Sequence, residues 1–591
     1  MSSVAYRVAI PEPKSHLLHV ELEVDDLEPK PLVLWLPAWT PGSYLIREFA
    51  RNIQELAAWD GDGRPLRVER VEKDGWRIES TSPRLRVAYK VYAFELSVRT
   101  SHVDESHAYW NGAATYLTSD TWLLRPATLR VAPQAGWKIT TPLKQAGELF
   151  QATDYDELCD SPVHCSPDDR TVSFQAAGVP HALTVWGHGN EDLPALATEL
   201  SQIAEQAAKL FGGLPYDRYL FLTLLTDRGR GGLEHRNCST LLYPRSAFKP
   251  DKARQDFLVL AAHELFHAWN VKRLRPLALT PYRYREENLT RLLWFFEGCT
   301  SYYELLLTVR AGLMTPARFL EQWGERMTQL SRTPGRRFQT AEEASLAAWI
   351  KHYRPDENSV NSSVSYYLKG SLVALALDLE LRRRGKSLDQ LLQRLWERYG
   401  KSERGLPEPA LRAEAEELAG AKLELFDRAV SGTDDPSYDA LSTVGLRARP
   451  RARESSGDKG GSKPRERVEL ISYLGLLLKP DRAPRLHIQS VLSGSPAERA
   501  GLCPDDELLA ADGTRLHPES WQPRVEGLAP GTQVELAYFR RDELRRTVVE
   551  LAERPQDTWW IERVEGATDA QRVAFADWLG HPFQLPHEGG R

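Results

Sequence analysis

The sequence predicts a multidomain protein: an all-β N-terminal region, a mixed α/β segment feeding a mostly helical one, and a β-rich C-terminal region. Three observations predict it. Residues 1 to about 170 read as strands, with apolar runs and two-residue alternation broken by turn signals. From Asp192 the period lengthens to that of helices, and from Asp251 to Ser431 nearly every segment carries it. A polar, Gly/Ser/Pro-rich run then precedes strand-like segments that continue to Leu551.

Leu17 to Val24 and Pro31 to Pro37 are the clearest early strands. Thr40-Pro-Gly-Ser, Asp60-Gly-Asp-Gly and Ser82-Pro83 discourage long helices between them. A sandwich-like domain over residues 1–170 follows. Next come a helix over Asp192 to Leu210 and a strand over Tyr219 to Thr226. Phe257 to Val271, Glu287 to Ala311, Ser363 to Arg383, Leu388 to Tyr399 and Ala410 to Leu418 have helical spacing. Residues 171–435 therefore read as one two-lobed unit. Arg447 to Val468 is charged and rich in Gly, Ser and Pro, so a flexible insertion is expected at about 448–467. Strand-like segments resume to about Leu551, the region they form is bounded at residue 560, and residues 561–591 hold an amphipathic helix, Asp569 to Leu579, and a tail.

At 591 residues, with 42% apolar and 27% charged residues, the chain has room for about four domains and needs no disulfide staples. A net charge of −6 argues against nucleic-acid binding. Five scattered cysteines form no C-x-x-C pair, which fits a reducing compartment. The N-terminus lacks the pattern of a signal peptide, and no apolar stretch is long enough for a membrane span. A soluble cytoplasmic protein, with no nucleic-acid or membrane partner, is expected.

The segment Phe257 to Asn270 is apolar on most of its circumference, yet contains His263-Glu264-Leu-Phe-His267. Residues i and i+4 lie one turn apart on one helix face, so both imidazoles can reach one point, with Glu264 beside them. Two histidines, a glutamate and a water are a common catalytic zinc set. Chance would produce His-Glu-x-x-His on the order of 0.03 times in such a chain. A solvated helix face is the bland alternative, and an apolar helix suits it poorly. The third ligand is expected from Leu292-Leu-Trp-Phe-Phe-Glu297, whose one carboxylate sits in an apolar run and needs a cation or strong hydrogen bonds. Pairing of Glu297 with Arg273 or Arg291 is the alternative. Glu286 and Glu287 are weaker ligand candidates, being flanked by Arg283, Arg285 and Asn288.

Two further segments can serve such a metal. Gly231-Gly232-Leu-Glu234-His235 follows a predicted strand; its glycines admit a close peptide backbone, and its carboxylate can hold a substrate ammonium or simply face solvent in a turn. Tyr366-Tyr367-Leu-Lys-Gly370 opens a helix, where a phenol can serve an oxyanion or merely pack.

Together with Trp39-Thr-Pro-Gly-Ser-Tyr44, His263 to Arg273 and Glu297-Gly-Cys-Thr-Ser-Tyr-Tyr303, these motifs resemble, in order, the glycyl aminopeptidase family of zinc peptidases, relatives of thermolysin and the alanyl aminopeptidases. The resemblance implies an N-terminal β domain, a thermolysin-like α+β catalytic domain and a C-terminal PDZ domain over residues 436–560. It implies one Zn2+ per chain held by His263, His267 and Glu297, with Glu264 as general base. Glu234, with Gly231 and Gly232, resembles the exopeptidase motif that binds the substrate amine, and Tyr367 resembles the oxyanion-stabilising tyrosine. Peptides with N-terminal Gly or Ala are the substrates it implies. In Tyr473-Leu474-Gly475-Leu476 it implies a PDZ carboxylate loop able to hold a peptide C-terminus. A chain ending near Ser437 would then keep its activity on small substrates but lose activity on longer peptides, whose C-termini that loop would hold. A zinc endopeptidase on the same site, and a PDZ-type binding protein with a non-catalytic metal site, are the alternatives.

Overall fold

The computed structural model describes residues 3–583 except 29, 81, 250, 466–467 and 481–483. Its contacts divide the chain into two compact units. The first comprises residues 1–290, 303–313 and 392–408, and the second 291–302, 314–391 and 409–591. Among the described residues no helix is long and apolar enough to cross a membrane.

The first unit opens with the all-β region. Its eight-stranded sheet runs, in spatial order, 144–146, 149–152, 127–132, 4–9, 17–24, 85–92, 53–60 and 65–66. Every pair along this order is antiparallel except Val4–Ala9 with Ala127–Ala132. Alternation decides the faces: Val4, Tyr6 and Val8 are buried, whereas their neighbours are not. They join a core that includes Trp35, Trp110, Tyr116 and Tyr155. A four-stranded and a three-stranded sheet complete the region.

A further, five-stranded sheet of this unit runs Arg170–Ala176, Val179–Trp186, Tyr219–Thr226, Cys238–Pro244 and Gly231–Glu234. Its three middle strands are parallel. The sheet lies against Leu193–Phe211, a helix capped by Asp192 and closed by Gly212 at φ 75°. Gly231–Glu234, the edge strand, pairs antiparallel with Cys238–Pro244, with Glu234 opposite Ser239. Among the described residues its outer edge has no strand neighbour.

The second unit is built on Pro316–Ser331 and Tyr366–Arg382, here the tyrosine helix. Leu293–Arg310, the carboxylate helix, begins in this unit and passes into the first at Tyr303. The C-terminal part of the unit carries an antiparallel sheet whose path is 476–478, 486–491, 507–511, 533–540 and 543–550. It covers a core containing Ile488, Leu508, Val534 and Leu536.

The segment expected as a flexible insertion is instead structured where described; Glu466 and Arg467 lie outside the described residues. Leu446–Arg451 is a strand pairing with Thr558–Arg563. Arg451 makes a bidentate, buried ion pair with Asp458. Burial pushes the Asp458 carboxyl up, but Arg451 and two backbone N–H groups outweigh it and bring it down to about 2. A run of alternating arginines looks solvated in sequence; here Arg447 and Arg449 pair with Glu562, more than a hundred residues away, and Arg451 with the nearby Asp458.

The strand Thr558–Arg563 in turn lies on Pro316–Ser331. Trp559 donates from its backbone N to Thr328 Oγ1 at 2.7 Å and from its indole to Ser331 Oγ at 2.7 Å. The terminal helix Asp569–Leu579, as predicted, is opened by a Thr568/Gln571 capping box. Its Trp578 is fully buried and donates to Tyr302 Oη at 2.8 Å on the carboxylate helix.

Candidate active site

Asp251–Phe266, the motif helix, buries Phe257, Leu258, Ala261, Ala262 and Leu265, and this fixes which face carries the histidines. The regular helix ends at Phe266, one residue before His267, but the His267 N–H still bonds the His263 carbonyl at 3.3 Å, so the i, i+4 geometry survives. Arg273 explains the stop. Its guanidinium donates to the Ala268 and Arg236 carbonyls and to Asn237, satisfying backbone at the helix end.

The two imidazoles converge. His263 Nδ1 meets Glu304 Oε2 at 2.6 Å, and His267 Nδ1 meets the Asn270 carbonyl at 2.7 Å. Acceptors at both Nδ1 atoms draw the hydrogens there, so each Nε2 presents a lone pair. The Nε2 atoms lie 3.1 Å apart. Two lone pairs held that close repel unless a cation or a proton sits between them. A carboxylate or carbonyl on the outer nitrogen is the usual support of a metal-bound histidine. The donor set fits a zinc ion.

Glu234 and Glu264 belong to the same cluster: with His267 they offer ligand atoms within 4.8 Å of one another. A Cβ on Gly232 would lie 2.0 Å from Glu264 Oε1, so only glycine lets the edge strand pass this carboxylate. Gly42, at φ +94°, does the same for Glu234, since a Cβ there would lie 2.5 Å from Oε2. The Trp39 to Tyr44 motif thus supplies a wall of the Glu234 pocket. Glu234 Oε1 is buried without a hydrogen-bond partner, a costly state for a carboxylate and one that an ammonium group would relieve. Asp160 steadies the end of the edge strand, accepting from Lys272 Nζ at 2.7 Å and the Arg236 N–H at 2.7 Å and meeting His235 Nδ1 at 3.3 Å. Burial pushes its carboxyl up, but Lys272 and His235 outweigh this and bring it to about 2.

In the second unit, Glu297 is 1% exposed on the carboxylate helix. Gly298 and Gly370 let that helix touch the tyrosine helix backbone to backbone: a Cβ on Gly298 would lie 2.4 Å from Gly370, and one on Gly370 would lie 2.2 Å from the Trp294 carbonyl. Tyr367 sits one turn before this contact, its hydroxyl 3.2 Å from that of Tyr353 and its ring stacked on His352. Burial, then the charge of Glu297, holds the Tyr367 phenol far above its ordinary pKa, so it stays a hydrogen-bond donor at any working pH. Tyr366, its neighbour in sequence, is fully buried, whereas Tyr367 retains exposure.

Glu297 and Glu304 are seven residues apart on one helix, two turns along the same face and about 10 Å apart. Glu304, the residue on His263, carries no motif signal beyond this spacing. His352 and Tyr353 carry none.

Two family models match the chain: the Peptidase M61 N-terminal domain over residues 5–167 and the M61 glycyl aminopeptidase over residues 256–373. No curated protein matches it. An aminopeptidase N family protein from Idiomarina loihiensis is similar over 98% of this chain and 100% of its own, at 30% identity and a TM-score of 0.91. An M1 zinc metallopeptidase from Deinococcus radiodurans is similar over 74% of this chain and 93% of its own, at 16% identity and a TM-score of 0.46.

Proposed function

The chain belongs to the M61 glycyl aminopeptidase family of metallopeptidases, and from that premise we propose that it removes single residues from peptide N-termini at one zinc ion. The observation that carries this reading is the pair of facing imidazoles, their Nε2 atoms 3.1 Å apart and both Nδ1 atoms held by acceptors. His263 and His267 are two ligands, and Glu297 is the third. Its support is helix register: the face of the carboxylate helix that brings Glu304 to His263 also carries Glu297. Arg273, one of the two alternative partners for Glu297, is engaged by carbonyls and Asn237. Zinc at these ligands would polarise the scissile carbonyl and acidify the attacking water.

The chain's own groups do the rest. Glu264 takes the proton of the water and returns it to the leaving amine. Tyr367, kept protonated, donates to the oxyanion. Glu234, buried with an oxygen unpaired, takes the substrate ammonium and sets the register so that only the first peptide bond reaches Glu264. Gly42 and Gly232, where a Cβ would collide with these carboxylates, let the backbone run close beside them. A small first residue, Gly or Ala, is the preference we propose.

We propose a PDZ fold for the C-terminal sheet, with the Tyr473-Leu474-Gly475-Leu476 turn as its carboxylate loop. That loop has an internal carboxylate already. Glu526 Oε1 accepts the Leu474 N–H at 2.9 Å, and burial pushes the Glu526 carboxyl up. This favours a packing role over capture of a peptide C-terminus.

The metal reading predicts about one zinc per chain by elemental analysis. Chelation should abolish peptide hydrolysis and a single equivalent of zinc should restore it. Activity that survives complete removal of metal would defeat the reading.

A further inference from the structure

The first unit contains an arginine that the mechanism does not use. Arg99 lies on the β-region turn that follows Leu96, and Val98 of that turn packs on Leu233 and Leu242. One guanidinium nitrogen, Nη2, donates to the Gly232 carbonyl of the edge strand at 3.1 Å. The direction a side chain would take at Gly231 ends 3.6 Å from Nη1. Nε is buried and has no hydrogen-bond partner. Among the described residues no carboxylate lies within ion-pair reach of Arg99. A half-buried guanidinium that gives one N–H to a carbonyl and faces no anion bears an uncompensated desolvation cost. It is matched to a carboxylate that arrives from outside.

Its position says which carboxylate. On the aminopeptidase reading, which this assignment presupposes, Glu234 holds the ammonium and Glu264 stands at the scissile bond. Gly232 passes directly beside Glu264 and is two residues from Glu234. Two residues of extended strand span about 6.7 Å. That is roughly the reach from the ammonium of a dipeptide to its terminal carboxylate. Gly231 and Arg99 lie further from Glu234 along the strand, on the side of the leaving group. We propose that Arg99 is a specificity-determining residue that binds a carboxylate on the leaving-group side of the substrate, so that short peptides with a free α-carboxylate are preferred. An acidic side chain in the second residue would offer the same chemistry.

The test compares kcat/KM on Ala-Ala as the free acid, Ala-Ala-NH2 and Ala-Asp-NH2, with alanine 4-nitroanilide as a substrate lacking any leaving-group carboxylate. The wild type should prefer the free acid over the amide by roughly ten- to a hundredfold, as a charge-assisted contact does. Preference for Ala-Asp-NH2 over Ala-Ala-NH2 would identify the side chain as a second source of the carboxylate; its absence assigns Arg99 to the α-carboxylate alone. R99M should bring the acid-to-amide ratio to about one, and R99K should keep part of it. Equal rates on acid and amide in the wild type, with the anilide hydrolysed, would overturn the assignment of Arg99 and leave the aminopeptidase reading standing. So would a preference that persists in R99M. Failure to cleave any of these substrates would overturn both.

Discussion

Replacing Glu264 by Gln is expected to leave the zinc content unchanged and to lower kcat by roughly a hundred- to ten-thousandfold, the usual worth of a positioned general base. The substitution is nearly isosteric. It preserves the contact with Gly232, where a Cβ would sit 2.0 Å from this side chain, and touches neither acceptor that holds the histidines. What is lost is the ability to take a proton. His267→Ala separates the roles, since it removes a converging Nε2 and should lose zinc and activity together. The checks are elemental analysis and steady-state kinetics on one preparation of each variant. Near-normal turnover by Glu264→Gln would remove this residue from the chemistry.

The second large effect concerns the C-terminal region. As an accessory module it could be removed near Ser437 with little harm to small-substrate hydrolysis. The contacts within the second unit change that expectation. Trp578 is buried against Phe319, at 5.4 Å between rings, and bonds Tyr302; Tyr302 donates to Asp378, which also accepts from Arg382 and the Leu388 N–H. Tyr302 is on the helix that carries Glu297, and Asp378 is on the helix that carries Tyr367. Loss of one fully buried tryptophan costs about 3–5 kcal/mol, and truncation also removes Trp559 and the paired strands around it. Against a total stability of about 5–15 kcal/mol for a domain, the second unit should not survive. A chain ending at Ser437 is expected to be insoluble or to lack a cooperative thermal transition, with equal loss on short and long substrates. Trp578→Ala should fold with a clearly lower Tm. A soluble truncated chain with a wild-type Tm would show the region to be tethered after all.

Much of this was legible in the sequence, and the exceptions share a cause. The strands Leu17–Val24 and Tyr219–Thr226 and the helix Asp569–Leu579 appear with the boundaries their periodicity predicts. Local pattern suffices where one face is buried. His263, Glu264 and His267 are legible because a helix turn places them by spacing alone. Glu304, Asp160 and Arg99 are not, since each reaches its partner across dozens of residues and stands in an unremarkable local context. The arginine-rich segment misleads for the same reason: Leu446–Arg451 finds its strand partner more than a hundred residues later. Tyr367 falls between the two cases. Helix spacing cannot choose it over Tyr366, but the contact of Gly298 with Gly370 seats it one turn from the carboxylate helix.

Central to the account is that Glu234 fixes the substrate by its free amine. The most direct test is a time course by mass spectrometry on one peptide of six residues, offered with a free and with an acetylated N-terminus, to wild type and to Glu234→Ala. The account predicts that the wild type shortens the free peptide one residue at a time from its N-terminus and leaves the acetylated one nearly untouched. Glu234→Ala should lose roughly ten- to a hundredfold in kcat/KM on the free peptide, the worth of a charge-assisted contact. Internal cleavage of the acetylated peptide at a rate comparable to that of the free one would contradict it.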